Sequence, residues 1–171
     1  MQGVYDELER AGAAHGLAHA GYHALNSLRI EKAYRHWGHD ITDEDTPLEA
    51  GLGFAVKWDK PGGFIGREAL LRQKKTGWSK RLVQFKLEAP ETLLYHNEPI
   101  WRGRSIVGFI RSGMYAHTLG AAVGLGYVTV PGAAASAIGP GDFEIEVAGV
   151  RCAASASLKP LYDPDNERIR S

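Results

Sequence analysis

The chain has 171 residues, with 20 Lys+Arg against 20 Asp+Glu, and this neutral balance lacks the basic excess that general nucleic-acid binding requires. At 44% hydrophobic and 23% charged, it has the composition of an ordinary folded domain and not of a disordered segment. No run reaches the ~20 apolar residues of a membrane span, and the first ten residues lack the order of a secretory signal, so the sequence reads as cytoplasmic, without nucleic-acid or membrane partners.

In chain order, Val4, Leu8 and Ala11 recur at helical spacing and are followed by His15-Gly16 as a stop. A second helix is expected from Tyr22 through Leu25, Leu28 and Arg29 toward Lys32. Thr46-Pro47 with Glu49 three residues after Thr46 fits a helix N-cap with a capping box, and Leu52-Gly53-Phe54-Ala55-Val56 reads as a short buried strand. A third helix follows Phe64-Ile65-Gly66, running from Arg67 to Lys75 with Gly77 as terminator. From residue 80 the period becomes alternating: in Arg81–Leu87, Val83, Phe85 and Leu87 share one face and Leu82 the other. Further strands are expected at Pro99–Trp101, Ser105–Arg111, Ala121–Val130, Phe143–Val147 and Arg151–Leu158, separated by Arg102-Gly103-Arg104, Pro131-Gly132 and Gly139-Pro140-Gly141. The alanine-rich tract 133–137 reads as loop, and the charged tail after Tyr162 as surface chain. The pattern is α+β, with a helical part over residues 1–78 and a small antiparallel barrel or sandwich over 79–171.

The chemically informative stretch runs from Leu25 to Ile41. On a helix Leu28 shares a face with Glu31 and Lys32, which puts an acid beside an apolar stripe, where burial demands a partner. Two readings follow: Glu31 pairs with Lys32, Arg35 or another cation at the surface, or it sits in an apolar pocket and accepts two parallel N–H donors from a planar heterocycle. His36 and His39 lack HExxH geometry, and Gly38 ends the helix, so His36-Trp37-Gly38-His39-Asp40 reads as an aromatic turn and not a metal site. The acidic run Thr42–Pro47 departs from EF-hand spacing. No P-loop, GxSxG elbow or dinucleotide fingerprint opens a helix after a strand. The single cysteine, Cys152, reads as an inert thiol.

Taken together, Ser27-Leu28-Arg29-Ile30-Glu31-Lys32-Ala33-Tyr34, Gly38-His39-Asp40-Ile41, Thr46–Leu52, Phe64–Leu70, Val107–Gly120 and Val123–Val128 resemble, in order and spacing, the glycine-cleavage T-protein family of aminomethyltransferases. The stretch Arg29–Gly38 is most similar to the folate-binding region of sarcosine and dimethylglycine dehydrogenases or oxidases. The resemblance implies that residues 1–78 form the C-terminal part of a folate-binding domain and that residues 79–171 form the family's small antiparallel β-barrel. It implies tetrahydrofolate as cofactor, with FAD only on a partner domain or chain, and a one-carbon unit passed from an N-methyl amine to folate. The implied partners are folate, the N-terminal half of the folate domain and a flavin dehydrogenase domain. Glu31 is implied as the carboxylate that meets the pterin ring, and Lys57 or Lys60 as the cation near the benzoyl-glutamate tail. Tyr115 and Arg111 fall in the barrel motif, where Arg111 and His117 replace the family's usual Thr and Pro. The family's supporting aspartate lies before the first segment present here, so the resemblance implies that catalysis needs residues beyond this chain. The alternative is a non-catalytic binding or assembly module of the same fold.

Overall fold

The computed structural model describes residues 1–129 and 143–170. Val130, Pro131-Gly132, the 133–137 tract and Gly139-Pro140-Gly141 lie outside the described residues. The helices are α1 (Gln2–Gly12), α2 (Tyr22–Glu31), α3 (Arg67–Thr76) and α4 (Glu167–Arg170). The strands are β1 (Lys80–Leu87), β2 (Pro99–Arg102), β3 (Ser105–Ala116), β4 (Ala121–Thr129), β5 (Phe143–Val147) and β6 (Val150–Ser157). They close into an antiparallel barrel in the order β1-β4-β3-β2-β5-β6, with β1 and β6 pairing across the seam from Gln84↔Ser157 to Leu87↔Ala154. Closure leaves no sheet edge for another chain to pair with. Among the described residues, no helix is long and apolar enough to cross a membrane.

The alternation in β1 sorts its side chains between two cores. Val83, Phe85 and Leu87 enter the barrel interior with Ile100, Ile110, Phe143 and Ile145, and the Phe85 and Phe143 rings meet edge to face at 5.4 Å. Leu82 faces outward and joins a second core with Ile30 and Ala33, which lie at and just beyond the end of α2, and with Val123, Leu125 and Tyr127 of β4. Strand β4 is therefore buried on both faces, which explains why its sequence is an unbroken apolar run and not an alternating one.

Three expectations change in this part of the structure. Leu52–Val56 is not a buried strand: Gly53–Ala55 form a 3₁₀ turn, with Phe54 85% exposed. The preceding capping box does form, Thr46 N–H donating to Glu49 Oε2 at 3.0 Å and Glu49 N–H to Thr46 Oγ1 at 3.2 Å. It closes a single turn instead of a helix, because the chain leaves helical geometry at Gly51, φ +71. Strand β3 also runs beyond Arg111 to Ala116, because a bulge between Ile110 and Ser112 makes Arg111 the extra residue and shifts the phase of the alternation. Past that bulge, Gly113 lets β3 approach the 94–95 segment, where an added Cβ would lie 2.5 Å from Leu94 Cβ.

The start of the tail is anchored and not free. Leu161 N–H donates to Gln84 Oε1 at 2.8 Å, and Lys32 Nζ donates to Asp163 O at 2.6 Å and to its Oδ2 at 2.8 Å. The Lys32 ammonium holds the Asp163 carboxyl below the ordinary carboxylate range. A depressed folded-state value stabilises the protein above the unfolded value of about 3.9, and that contribution is lost as the pH falls through the lower folded value. The melting-temperature gap between wild type and Asp163→Asn is therefore expected at pH 7 and to narrow as the pH drops below about 4. In the barrel core, Phe85→Ala should cost about 3–5 kcal/mol in chemical denaturation, whereas a loss under 1 kcal/mol would contradict the interior packing described.

Candidate functional site

The candidate site forms where the last turn of α2 lands on the barrel. Ser27, Ile30 and Glu31 are the buried residues of this helix. Each carries a different kind of attachment. Ser27 Oγ donates to the Tyr115 carbonyl at 2.7 Å, and Ile30 is packed in the second core. Gln84 Nε2 donates to the Ile30 and Glu31 carbonyls at 2.6 and 3.3 Å, while Tyr162 N–H reaches the Glu31 carbonyl at 3.3 Å. These donors satisfy carbonyls that the end of a helix leaves without intrahelical partners.

Glu31 is 1% exposed, and its Oε1 accepts the Thr118 backbone N–H at 2.7 Å. The cations expected to neutralise it are engaged elsewhere: Lys32 with Asp163, and Arg35 with the Ala33 and Ala50 carbonyls at 2.7 and 3.2 Å. Among the described residues, no ion pair is made by Glu31 and no hydrogen bond reaches its Oε2. The position compounds the cost, because the C-terminal end of a helix carries partial negative charge and disfavours a carboxylate. Beside it opens a cleft of about 340 Å³ lined by His23, Ser27, Leu28, Met114, Tyr115 and Thr118 as well as Glu31. A buried acid without an ion-pair partner among the described residues, at the wall of a cleft, can accept hydrogen bonds from donors that enter the cleft.

Of the other residues expected from the sequence, Tyr115 lines the same cleft, its ring 5.1 Å from that of His117. Arg111 does not: it is exposed at the β3 bulge, its guanidinium 5.9 Å from the Tyr127 ring, and lines two neighbouring clefts. Lys57 and Lys60 line a different cleft with Pro47, Phe64, Ile65 and Leu70, and Lys57 is paired at 3.0 Å with Asp59. The structure thus brings Glu31 and Tyr115 together, and Lys57 and Lys60 together, in separate places. Sequence reasoning missed Thr118, which acts through its backbone and leaves no side-chain signal. It also missed Gln84, although a polar residue on the Leu82 face of β1 was a readable sign of a docked helix end.

A third missed residue is Asp40, which is fully buried. Its Oδ2 accepts Arg29 Nη1 at 2.6 Å and the His36 N–H at 2.8 Å, and its Oδ1 accepts the Ser112 hydroxyl. Asp40 therefore ties α2, the 36–40 turn and β3 together. Among the described residues, no three His, Cys, Asp or Glu side chains are grouped to hold a metal ion.

Comparison with known proteins places this geometry in context. The profile of the glycine cleavage T-protein C-terminal barrel domain matches residues 80–163, and that of the GCVT N-terminal domain matches residues 1–60. The chain is 46% identical over 167 residues to 4-methylaminobutanoate oxidase (formaldehyde-forming) of Paenarthrobacter nicotinovorans, covering 98% of this chain and 20% of that protein. It is 40% identical over 170 residues to human mitochondrial sarcosine dehydrogenase, covering 98% of this chain and 18% of that protein. The chain thus spans about a fifth of the length of these relatives. Among solved structures, the glycine cleavage system aminomethyltransferase T of Bartonella henselae superposes with a TM-score of 0.71 at 25% identity, covering 82% of this chain and 38% of that one.

Removing Asp40 leaves the Arg29 guanidinium without its counter-charge, its side chain being only 13% exposed. Asp40→Ala is expected to cost about 3–5 kcal/mol in urea denaturation. A cost near that of an exposed ion pair, under about 1 kcal/mol, would show that the junction does not depend on it.

Proposed function

The chain belongs to the glycine-cleavage T-protein family, and on that premise we propose that it supplies the pterin-holding part of a tetrahydrofolate-dependent aminomethyltransferase unit. The unit takes a one-carbon group from an N-methyl amine of the sarcosine or dimethylglycine type, oxidised by a FAD-dependent dehydrogenase domain on the same longer protein or on a partner. Residues 1–78 are assigned to the folate-binding domain and 79–171 to the barrel, a division consistent with the profile matches ending at 60 and beginning at 80.

The observation that carries this reading is the environment of Glu31. Its burial, the lack of a cation and the single backbone hydrogen bond leave one carboxylate oxygen available to the cleft that it lines. A pterin edge presents two adjacent N–H donors, the complement of such a carboxylate. Tetrahydrofolate, when bound, supplies the nucleophilic nitrogen that accepts the one-carbon unit. The residues of this chain orient it: Glu31 fixes the pterin edge, Thr118 N–H and the α2 junction keep Glu31 in place, and Tyr115 forms an adjoining aromatic wall. Lys57 and Lys60 receive a smaller share as cations for the glutamate tail, because exposed point charges lose most of their attraction to solvent screening.

The test is titration of tetrahydrofolate into the full chain supplied with the remaining folate-domain segment. Glu31→Gln keeps the side-chain shape and an acceptor for Thr118, yet should weaken binding roughly ten- to a hundredfold, the equivalent of about 1.5–3 kcal/mol for hydrogen bonds to a charged group. Lys57→Ala should weaken it less than about fivefold. Equal affinities for the three proteins, or no folate binding by any of them, would overturn the reading. With the flavoprotein part added and N-methyl amine supplied, transfer to folate should displace free formaldehyde as the product, whereas formaldehyde release indifferent to folate would count against it.

A further inference from the structure

A second cleft, of about 360 Å³, adjoins the Glu31 cleft along α2, with His23 and Met114 lining both. Its walls come from Tyr22, His23, Asn26 and Arg29 of α2, His36 and His39 of the following turn, Tyr95 and His96, and Arg111–Met114 of β3. Four imidazoles and two guanidiniums thus converge, and among the described residues no Asp or Glu lines the cleft. A concave surface with one sign of charge and low-dielectric walls concentrates ions of the opposite sign.

The donors there are only partly used. Arg29 Nε donates to Asn26 Oδ1 at 2.9 Å, and its Nη1 donates to the Tyr34 carbonyl at 3.1 Å and to Asp40 Oδ2 at 2.6 Å. Among the described residues nothing accepts from Nη2, so one arm of a nearly buried guanidinium fork is held in place with its two N–H groups unspent. His36 Nδ1 is buried without a hydrogen-bond partner, and the His36 and His39 rings lie 4.7 Å apart with no acid between them. Arg111 makes no ion pair among the described residues, and its main contact is the Tyr127 ring. The buried Asp40 offsets Arg29 from behind, which leaves Arg111 as the guanidinium of this lining without a carboxylate among the described residues. A buried polar atom without a partner is uncommon in folded proteins, and a bound oxyanion would give His36 Nδ1 and the open arm of Arg29 an acceptor together. A metal ion fits poorly, since the imidazoles are not grouped as ligands and two guanidiniums would repel it.

We infer that this cleft, which adjoins the Glu31 cleft but is built on other donors, is an oxyanion-binding site for a small ligand bearing a doubly charged group, either a phosphate ester or a dicarboxylate. Arg29, held by Asp40 and Asn26, supplies the fixed donor. His36, His39 and His96 complete the cage, Arg111 closes the rim, and Tyr22, Tyr95 and Met114 accommodate an organic body. The inference does not rest on the folate reading: His23 and Met114 line both clefts, but the proposed donors, Arg29, His36, His39, His96 and Arg111, do not line the Glu31 cleft, and the ligand group has the opposite demand.

The full 171-residue chain would be titrated calorimetrically with sodium sulfate and, separately, with sodium succinate, ionic strength being held constant with sodium chloride. The expected result is saturable one-to-one binding of at least one anion, weakened about tenfold in the double variant His39→Gln/His96→Gln and in Arg111→Gln, and unchanged in Lys75→Gln on α3. Tighter sulfate binding identifies the tetrahedral phosphate-ester class, and tighter succinate binding the dicarboxylate class. His39, His96 and Arg111 are exposed, so melting temperatures should stay at the wild-type value and loss of binding cannot be read as unfolding. Absence of saturable binding for both anions, or binding unaltered by the histidine and arginine variants, would overturn the proposal.

Discussion

The arrangement depends on holding a carboxylate out of water at the negative end of a helix with no ion pair to a cation among the described residues. The other polar groups at the end of α2 have partners supplied by the barrel or the tail: Ser27 the Tyr115 carbonyl, the Ile30 and Glu31 carbonyls Gln84, and Lys32 Asp163. Against that background Glu31, with one backbone N–H on Oε1, is the exception. The second core pins Ile30 beneath it, so relaxing the acid toward solvent would mean lifting the end of α2 off Leu82, Val123 and Leu125. Packing thus maintains an electrostatic arrangement that local preferences oppose, which is what a prearranged ligand contact requires.

The barrel explains why the position is fixed. Because β4 is covered on both faces, helix α2 docks on a wall whose other side is already packed with Ala122, Val128 and the aromatic pair Phe85 and Phe143. Close-packed interiors of this kind have low compressibility, so the wall under α2 resists local displacement. The Asp40 junction adds a second point of attachment on β3, so α2 is held at its end by Glu31 and Gln84 and along its flank by Arg29.

What could be read in the sequence follows from the range of the interactions involved. The α2 and α3 helices and the strand cores were legible because periodicity and Gly termination are local signals, and the Val83, Phe85, Leu87 face against Leu82 sorted as alternation requires. The continuation of β3 was not, because a bulge at Arg111 breaks the very period that would reveal it. The segment 52–56 misled because a short apolar run carries no information about whether a neighbouring strand exists to pair with it. For the site, Glu31 could be singled out by its place beside an apolar stripe and by the family resemblance. That its expected cations would choose Asp163 and the Ala33 and Ala50 carbonyls is a tertiary fact. So is the separation of Lys57 and Lys60 from the Glu31 cleft, since nothing in their spacing reports which cavity they line.

The outer face of α2 bears directly on the proposed chemistry. While Ser27, Ile30 and Glu31 face the barrel, Tyr22, Leu25 and Leu28 are exposed, as are Val4 and Leu8 on α1, which buries no residue. Leu28 stands at the rim of the Glu31 cleft, so that cleft is walled on one side by a packed junction and on the other by apolar side chains in contact with water. In relatives about five times as long, further chain is present to cover such faces. Under the proposed function, covering Leu25 and Leu28 would do more than bury apolar area. It would remove water from around Glu31, and a charge-assisted hydrogen bond to a ligand strengthens as the local dielectric falls. Folate affinity and assembly of the folate domain would then be one linked equilibrium, with each strengthening the other by the same factor.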